Sequence, residues 1–535
     1  MNSISLLQKN ALIKKADWFI LAAIWIIATA FNLNKAFHID DTFHLLVAQW
    51  IEKHPLAPMS GIINWGKENV PIYTSNQPPL FFYLIAAIGK SFGYKEVPLH
   101  LLESIFSLLA IIYFYKLCNI LIPRFSLLAT ALLAFNPAFL VNQNTMVDIP
   151  ILSLSIIFIF LLVKNNSNSN IKNHFFAATI LSAGLLIKYS LLPLYLILAI
   201  SILNNWSIKQ TPALTLPFLT ITAWSIFNIY EFNSIHIIGR SNNIVLSSFT
   251  VHKLITYTVT LGSIATFSLF ILAQHLRKEN FKNIITIQLP IILLSTLYGI
   301  SNKLNYKTPA FILWVSFLFV GSTLLFHVFK TLSDKSFHKN RIIIFTWFFT
   351  MALFIILFAP FISTRHVLLA IPPLIILVFQ SLEHIEARTL FFTLICTVTL
   401  GFLLGMSDWA YSSFYRCASN KIAANLPKRS TIWTVGHWGW RWYSAQSGMK
   451  FYDEETSKPM VNDFFVYPLN VPLQPVSKNI ILQEVGSIYQ SPTWVTFFTT
   501  AKNASFYRTD ISNVPWSFTV KPVDTVKVFR VISIK

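Results

Sequence analysis

Acidic side chains are scarce in this 535-residue sequence: 21 Asp and Glu stand against 41 Lys and Arg, and only thirteen of the acids precede residue 408. Charged residues of both signs make up just 12%. A soluble protein carries about a quarter of its residues charged, so this composition excludes a chain that is soluble throughout. Cysteine is nearly absent, and Cys118, Cys396 and Cys417 lie too far apart in kind and place for a disulfide framework. There is no G-x-x-x-x-G-K-[ST] phosphate loop, no G-x-G-x-x-G following a strand, and no H-E-x-x-H. The intervening loops are too short to hold a nucleotide-binding domain, so a cytosolic nucleotide is excluded as group donor. The Lys and Arg are scattered between apolar runs rather than striped, which excludes a nucleic-acid partner.

What the chain does have is apolar length. Hydrophobic residues make up 54% and the mean hydropathy is +0.58. Runs of about 18–22 apolar residues match a bilayer crossed as helix. The pattern predicts a polytopic α-helical membrane protein with about thirteen spans, near 17–34, 98–118, 125–142, 149–163, 174–189, 190–204, 211–230, 253–273, 284–300, 309–329, 342–361, 366–381 and 389–407. The stretch around 79–94 is apolar but short and reads as an interfacial helix of the first external loop, about 35–97. Lys9, Lys14 and Lys15 before an apolar run from Trp18 to Leu33 read as a signal anchor. Basic clusters (Arg277, Lys278 and Lys282; Lys330, Lys335, Lys339 and Arg341) mark the cytoplasmic side, which puts the N-terminus inside and the acidic-pair loop outside. The net charge of +20 suits anionic lipid surfaces and phosphate-bearing substrates.

Character changes at Asp408. Residues 1–407 form the expected membrane domain, and residues 408–535 a small soluble α/β domain on the outer face. Short alternations at Thr431–Val435, Asn479–Leu482 and Val526–Val531 read as strands, and a helix is expected over Ala418–Leu426, stopped by Pro427. Trp438, Trp440 and Trp442 alternate as one face of a strand would; such a face is either core or a platform for a sugar.

The costly charges are the candidates for chemistry. Asp40 and Asp41 sit side by side between His38 and His44, just past the first apolar run. An acid next to lipid needs water or a cation. Asp148 precedes Ile149-Pro150, where helix capping is an equally good explanation. Lys188 interrupts the apolar run Gly184-Leu185-Leu186-Ile187, and Arg365 lies in a very short turn, Ser363-Thr364-Arg365-His366. Each has a plain reading, as a snorkelling or interfacial anchor, and a sharper one, as a phosphate ligand. Arg240 is a weaker candidate of the same kind. Asp40, Asp41 and His44 together are a candidate divalent-metal set, although their spacing is not diagnostic.

The order of these features resembles the GT-C superfamily of integral-membrane glycosyltransferases, and within it the bacterial branch related to protein O-mannosyltransferases and aminoarabinose transferases. The features are an acidic pair in the first external loop, Gln77-Pro78-Pro79 before a helix, Asp148 opening a span, Gly184–Lys188, and the late turn with Arg365. The likeness covers about residues 15–410. It implies transfer of a hexose or pentose from a polyprenyl-phosphate carrier to a lipid, glycan or protein acceptor at the outer face, with inversion, in a bacterial inner membrane. By the same resemblance Asp40 or Asp41 is the base or a metal ligand, Asp148 a second acid, and Lys188, Arg365 and Arg240 hold the donor phosphate. Gln77 stands where the aminoarabinose transferases have Lys, a departure that weakens the case for the same donor or acceptor. Two other readings remain, a multi-span transporter and a non-catalytic scaffold that presents the C-terminal domain.

Overall fold

The computed structural model describes residues 15–535 except 67, 76, 166–170, 204–205, 243–250, 266–267, 269, 272, 275–280, 331–338, 382–384 and 502–503. Lys9, Lys14, Arg277, Lys278 and Lys335 therefore lie outside the described residues.

A helix occurs at each expected apolar run, but the runs do not all become membrane-length helices. Among the described residues six are long and apolar enough to cross: Glu96–Leu121, Ile208–Phe232, Pro309–Lys330, Asn340–Phe358, Thr364–Ser381 and Ala387–Asn425. Others are shorter, such as Ala16–Asn32, Pro123–Ala134 and Tyr189–Leu203. Local chemistry cuts them. The expected run 125–142 breaks at Asn136, whose ψ of 135° is the extended backbone imposed by the following Pro137. Asn136 then caps the short helix Pro137–Val141 by accepting the N–H of Ala138. The expected spans 174–189 and 190–204 are divided at Lys188, extended between the helix Ile171–Leu185 and a 3-10 turn at Tyr189–Leu191.

Loop 1 holds two 13-residue helices, Asp41–Lys53 and Leu80–Phe92, a four-residue helix Ile72–Ser75 between them, and a small hairpin of β1 (Ile62–Asn64) and β2 (Asn69–Pro71). Its second helix is tied back to the membrane body where Leu80 N–H donates to Leu186 O at 3.1 Å.

The last long helix does not stop at the expected 407/408 division. It runs unbroken from Ala387 to Asn425, so the predicted helix near Ala418–Leu426 is its final turns. Beyond it lies a five-stranded mixed sheet of β3 (Ile432–Thr434), β4 (Lys450–Phe451), β5 (Phe464–Pro468), β6 (Ile480–Tyr489) and β9 (Thr525–Ile534), in the order β4-β3-β5-β9-β6. A second pair, β7 (Phe498–Thr499) and β8 (Ser517–Phe518), stands apart. The three strands read from alternation lie within or beside β3, β6 and β9.

The tryptophan run departs from expectation. Trp438–Gln446 is helix, not strand. β3 and β4 are parallel neighbours, and parallel strands need a crossover between them, which this helix supplies. Trp440 is fully buried and its indole N–H donates to Thr434 Oγ1. Trp438 and Trp442 pack at the edge of the main core, so the run is packing between the domain and the membrane body.

Candidate active site

Loop 1, the Lys188 break and the Arg365 turn close on one cavity of about 650 Å³. Each functional side chain arrives at an interruption of helix. Asp40 sits just before the helix Asp41–Lys53, and Asp148 is the first residue of Asp148–Asn165, where an acid meets the positive end of the helix dipole. Lys188 occupies the extended break described above. Pro360 follows the end of one long helix, and Ser363 caps the next by accepting the N–H of His366, which fixes Arg365 in its first turn. Cations are disfavoured at that end of a helix, and the two carboxylates offset the cost.

The four charges form one chain. Arg365 Nη2 is 2.6 Å from Asp40 Oδ2, Arg365 Nη1 is 3.7 Å from Asp148 Oδ2, and Lys188 Nζ is 2.7 Å from Asp148 Oδ1. The set is neutral overall, which is how a poorly solvated site tolerates four ions. Donors remain: the Lys188 ammonium has three N–H groups and gives one to Asp148, and Arg365 Nε is buried with no partner. The cavity's apolar lining includes Leu192, Pro193, Phe354, Ile355, Phe358 and Leu369. Trp65, Thr74, Ser75 and Gln77 of loop 1 line the cavity together with Asp40.

The two adjacent acids part company. The Asp40 side chain is 31% exposed and lines the cavity, whereas Asp41 is fully buried and turns back so that Oδ2 accepts the N–H of His38 at 3.0 Å. Between them and His38 lies Ile39 with φ of +51°, a left-handed conformation that costs a β-branched residue of order 1–3 kcal/mol.

His44 lines the cavity and its Nδ1 lies 2.9 Å from Thr145 O. A carbonyl only accepts, so Nδ1 carries the proton. Burial holds the His44 pKa below the ordinary histidine range, and the ring is neutral. As a metal set Asp40, Asp41 and His44 do not fit. Asp40 is taken by Arg365, Asp41 faces away, and among the described residues no group of three His, Cys, Asp or Glu gathers for an ion. Arg240 falls in the short helix His236–Asn242, with its side chain outside the described residues; Ile237 of that helix lines the cavity.

A second buried set lies beside the first. Asp408 Oδ2 is 2.6 Å from Lys35 Nζ and 3.2 Å from His38 Nε2, and it accepts the Tyr507 hydroxyl at 2.8 Å. Its Oδ1 accepts the Thr500 hydroxyl at 2.8 Å. Reading by sequence took Asp408 for the start of a polar region. Its one signal was a carboxylate continuing an apolar helical run. Glu103, mid-helix and fully buried with both oxygens unpartnered, also went unmarked.

With this geometry in view, residues 76–216 match the sequence model of the family described as dolichyl-phosphate-mannose-protein mannosyltransferase. That segment is about a quarter of the chain. It includes Gln77, Asp148 and Lys188, while Asp40 and Arg365 lie outside it. Among solved structures, the chain is similar to ArnT from Cupriavidus metallidurans bound to undecaprenyl phosphate, at 11% identity over 85% of this chain and 93% of that one, with a TM-score of 0.40. It is also similar to the archaeal oligosaccharyltransferase AglB from Archaeoglobus fulgidus in complex with an inhibitory peptide and a dolichol-phosphate, at 12% identity over 82% and 64% of the two chains and a TM-score of 0.41. Scores this low carry no residue-by-residue correspondence. No curated protein matches the chain.

Proposed function

We propose that this protein is a membrane glycosyltransferase that moves a sugar from a polyprenyl-phosphate carrier to an acceptor hydroxyl, with inversion at the anomeric carbon. The observation that carries the reading is one cavity joining two acids and two cations to an apolar lining. The apolar lining suits an isoprenoid chain, and Lys188 and Arg365 suit the phosphate where chain and sugar meet.

The step follows from the charges. Asp40, open to the cavity, takes the proton of the acceptor hydroxyl as that oxygen forms its bond to the anomeric carbon. The bond from that carbon to the phosphate oxygen breaks, and the phosphate leaves with one more negative charge than it had in the diester. Asp40 loses its charge as the phosphate gains one, so the net charge of the site is conserved. Arg365, released from Asp40 by that proton, turns its donors to the departing phosphate. Asp148 holds Lys188 and Arg365 in place throughout. A single displacement of this kind inverts the carbon.

The expected placement is the inner membrane of a bacterium, with loop 1 and the C-terminal domain outside and the N-terminus in the cytoplasm. It rests on the basic clusters and on the odd parity of about thirteen spans. A membrane-impermeant thiol reagent should reach Glu455→Cys, in an exposed turn, in intact cells; reaction only after permeabilisation inverts the assignment.

The deciding experiment is sugar transfer by purified protein from polyprenyl-phosphate mannose, with a panel of other sugars on the same carrier. No transfer or hydrolysis from any of them, in protein shown to bind undecaprenyl phosphate, would turn the reading toward transport.

A further inference from the structure

The segment that presents Asp40 is gripped from far along the chain. The Phe37 N–H donates to the Tyr443 hydroxyl at 2.7 Å, and that hydroxyl donates to Glu96 at 2.8 Å. The backbone of Gly439 packs so closely that a Cβ there would overlap the Phe37 carbonyl oxygen and lie 3.0 Å from His38 Cα. Lys35 and His38 are held by Asp408, itself held by Tyr507 and Thr500. Ile39 packs into an apolar cluster that includes Met146, Phe506 and Tyr507. The same stretch of the C-terminal domain fastens the other half of the site. Thr364 donates its N–H and its hydroxyl to Phe506 O, and Thr509 N–H donates to Ile362 O at 2.7 Å, on either side of the Arg365 turn.

We propose that the C-terminal domain is a positioning part of the active site: through Gly439, Tyr443 and Tyr507 it holds Ile39 in left-handed backbone, and that conformation aims Asp40 rather than Asp41 into the cavity. Left alone, a β-branched residue relaxes to negative φ, and the two carboxylates that follow are reoriented with it. The grips are spread over residues 408–509, so none of them is local to the loop they shape. Lys188 and Asp148 keep their own pairing at 2.7 Å on elements outside that domain, so that pair does not depend on the grips at Gly439, Tyr443 and Tyr507, whereas the Arg365 turn is fastened by the domain. The inference takes from the proposed function only that Asp40 is the acid in the cavity.

The test uses the full chain with Cys118→Ala, Cys396→Ala and Cys417→Ser, carrying either Asp40→Cys or Asp41→Cys, and a small methanethiosulfonate reagent. Cysteine at 40 should react at least about tenfold faster than cysteine at 41, following their exposure. Adding Tyr443→Phe with Tyr507→Phe should shrink that ratio to within about threefold, and Ile39→Gly should then restore it, because glycine takes positive φ without strain. With Asp40 intact, the double Tyr variant should lower kcat about tenfold or more while the Kd for undecaprenyl phosphate stays within about twofold. An unchanged ratio in the double Tyr variant overturns the proposal. So does a lost ratio that Ile39→Gly fails to restore, since the domain would then only support the fold. If Asp40→Asn transfers sugar at full rate while the labelling behaves as expected, the catalytic reading falls and the positioning stands; the opposite pair of results separates them the other way.

Discussion

Two sets of buried charges lie within a few residues of each other and are made of the same parts. Asp40, Asp148, Lys188 and Arg365 form one; Asp408, Lys35 and His38, with Asp41 behind them, form the other. In the second, Asp408 spends all its capacity inside the protein, on Lys35, His38, Tyr507 and Thr500, and is sealed. In the first, the charges border a cavity, Asp40 is part-exposed, and donors on Lys188 and Arg365 remain for a ligand. Residue type does not separate a catalytic ion pair from a structural one; access does. A sealed pair can only be broken, whereas an open one can exchange partners during a reaction.

The sharpest way to break the comparison is to remove one acid from each side of the boundary. Asp40→Asn should cut sugar transfer by roughly 10²–10⁴ with little change in Tm, because the group lost is a proton acceptor at the reacting centre. Asp41→Asn should do the reverse and lower Tm while leaving much of the transfer, since it weakens the acceptor of the His38 N–H. Transfer rate and Tm of both proteins, measured side by side, check this; equal losses of transfer would erase the distinction.

Removing the sealed carboxylate should damage the fold most. Asp408→Ala strands Lys35 and His38 in the interior, and an uncompensated buried charge costs about 3–5 kcal/mol. Thermal or denaturant unfolding of the detergent-solubilised protein measures it. A change under 1 kcal/mol would mean that the set is hydrated rather than sealed.

Lys188→Gln and Arg365→Gln should sharpen the open side. Each removes charge-assisted hydrogen bonds to phosphate, worth about 1.5–3 kcal/mol, or roughly 10- to 150-fold in Kd for undecaprenyl phosphate. Calorimetry on the two variants decides it. Unchanged affinity in both would detach the cations from the donor.

The smallest effect is on pH. Burial depresses the pKa of His44, and burial with the Arg441 charge takes His437 down to about 4. Both therefore bind a proton more readily unfolded than folded, so their contribution is complete above about pH 6.5 and is lost as pH falls below it, for His437 toward about 4. The slope of Tm against pH over that window should flatten in His44→Gln and in His437→Gln. A slope that either variant leaves untouched assigns the acid sensitivity to other groups.

Much of this site was readable one residue at a time. Asp40, Asp148, Lys188 and Arg365 each stand out as a charge that is expensive beside lipid, and expense is a local property of sequence. The helices were readable for the same reason, since apolar length is written along the chain. The breaks within them were less so. Asn136-Pro137 shortens a run that hydropathy alone would carry across the bilayer, whereas the division beside Lys188 falls where two spans were expected to meet. The helix Trp438–Gln446 was misread because alternating tryptophans fit a strand, while the need for a crossover depends on β3 and β4 being parallel, a fact about pairing rather than about the segment. Asp408 was passed over because its partners lie at Lys35, His38 and Tyr507.

By itself the sequence determined the solvent of most of this protein, lipid, and the few positions where charge must be answered by charge, because both follow from the transfer cost of single side chains. The tertiary structure decided which of two neighbouring, chemically identical acids meets the cavity. Asp40 and Asp41 differ in no intrinsic property. The difference rests on the left-handed backbone of Ile39 and on contacts from Gly439, Tyr443 and Tyr507, and no local pattern encodes a conformation that must be held from more than 400 residues away.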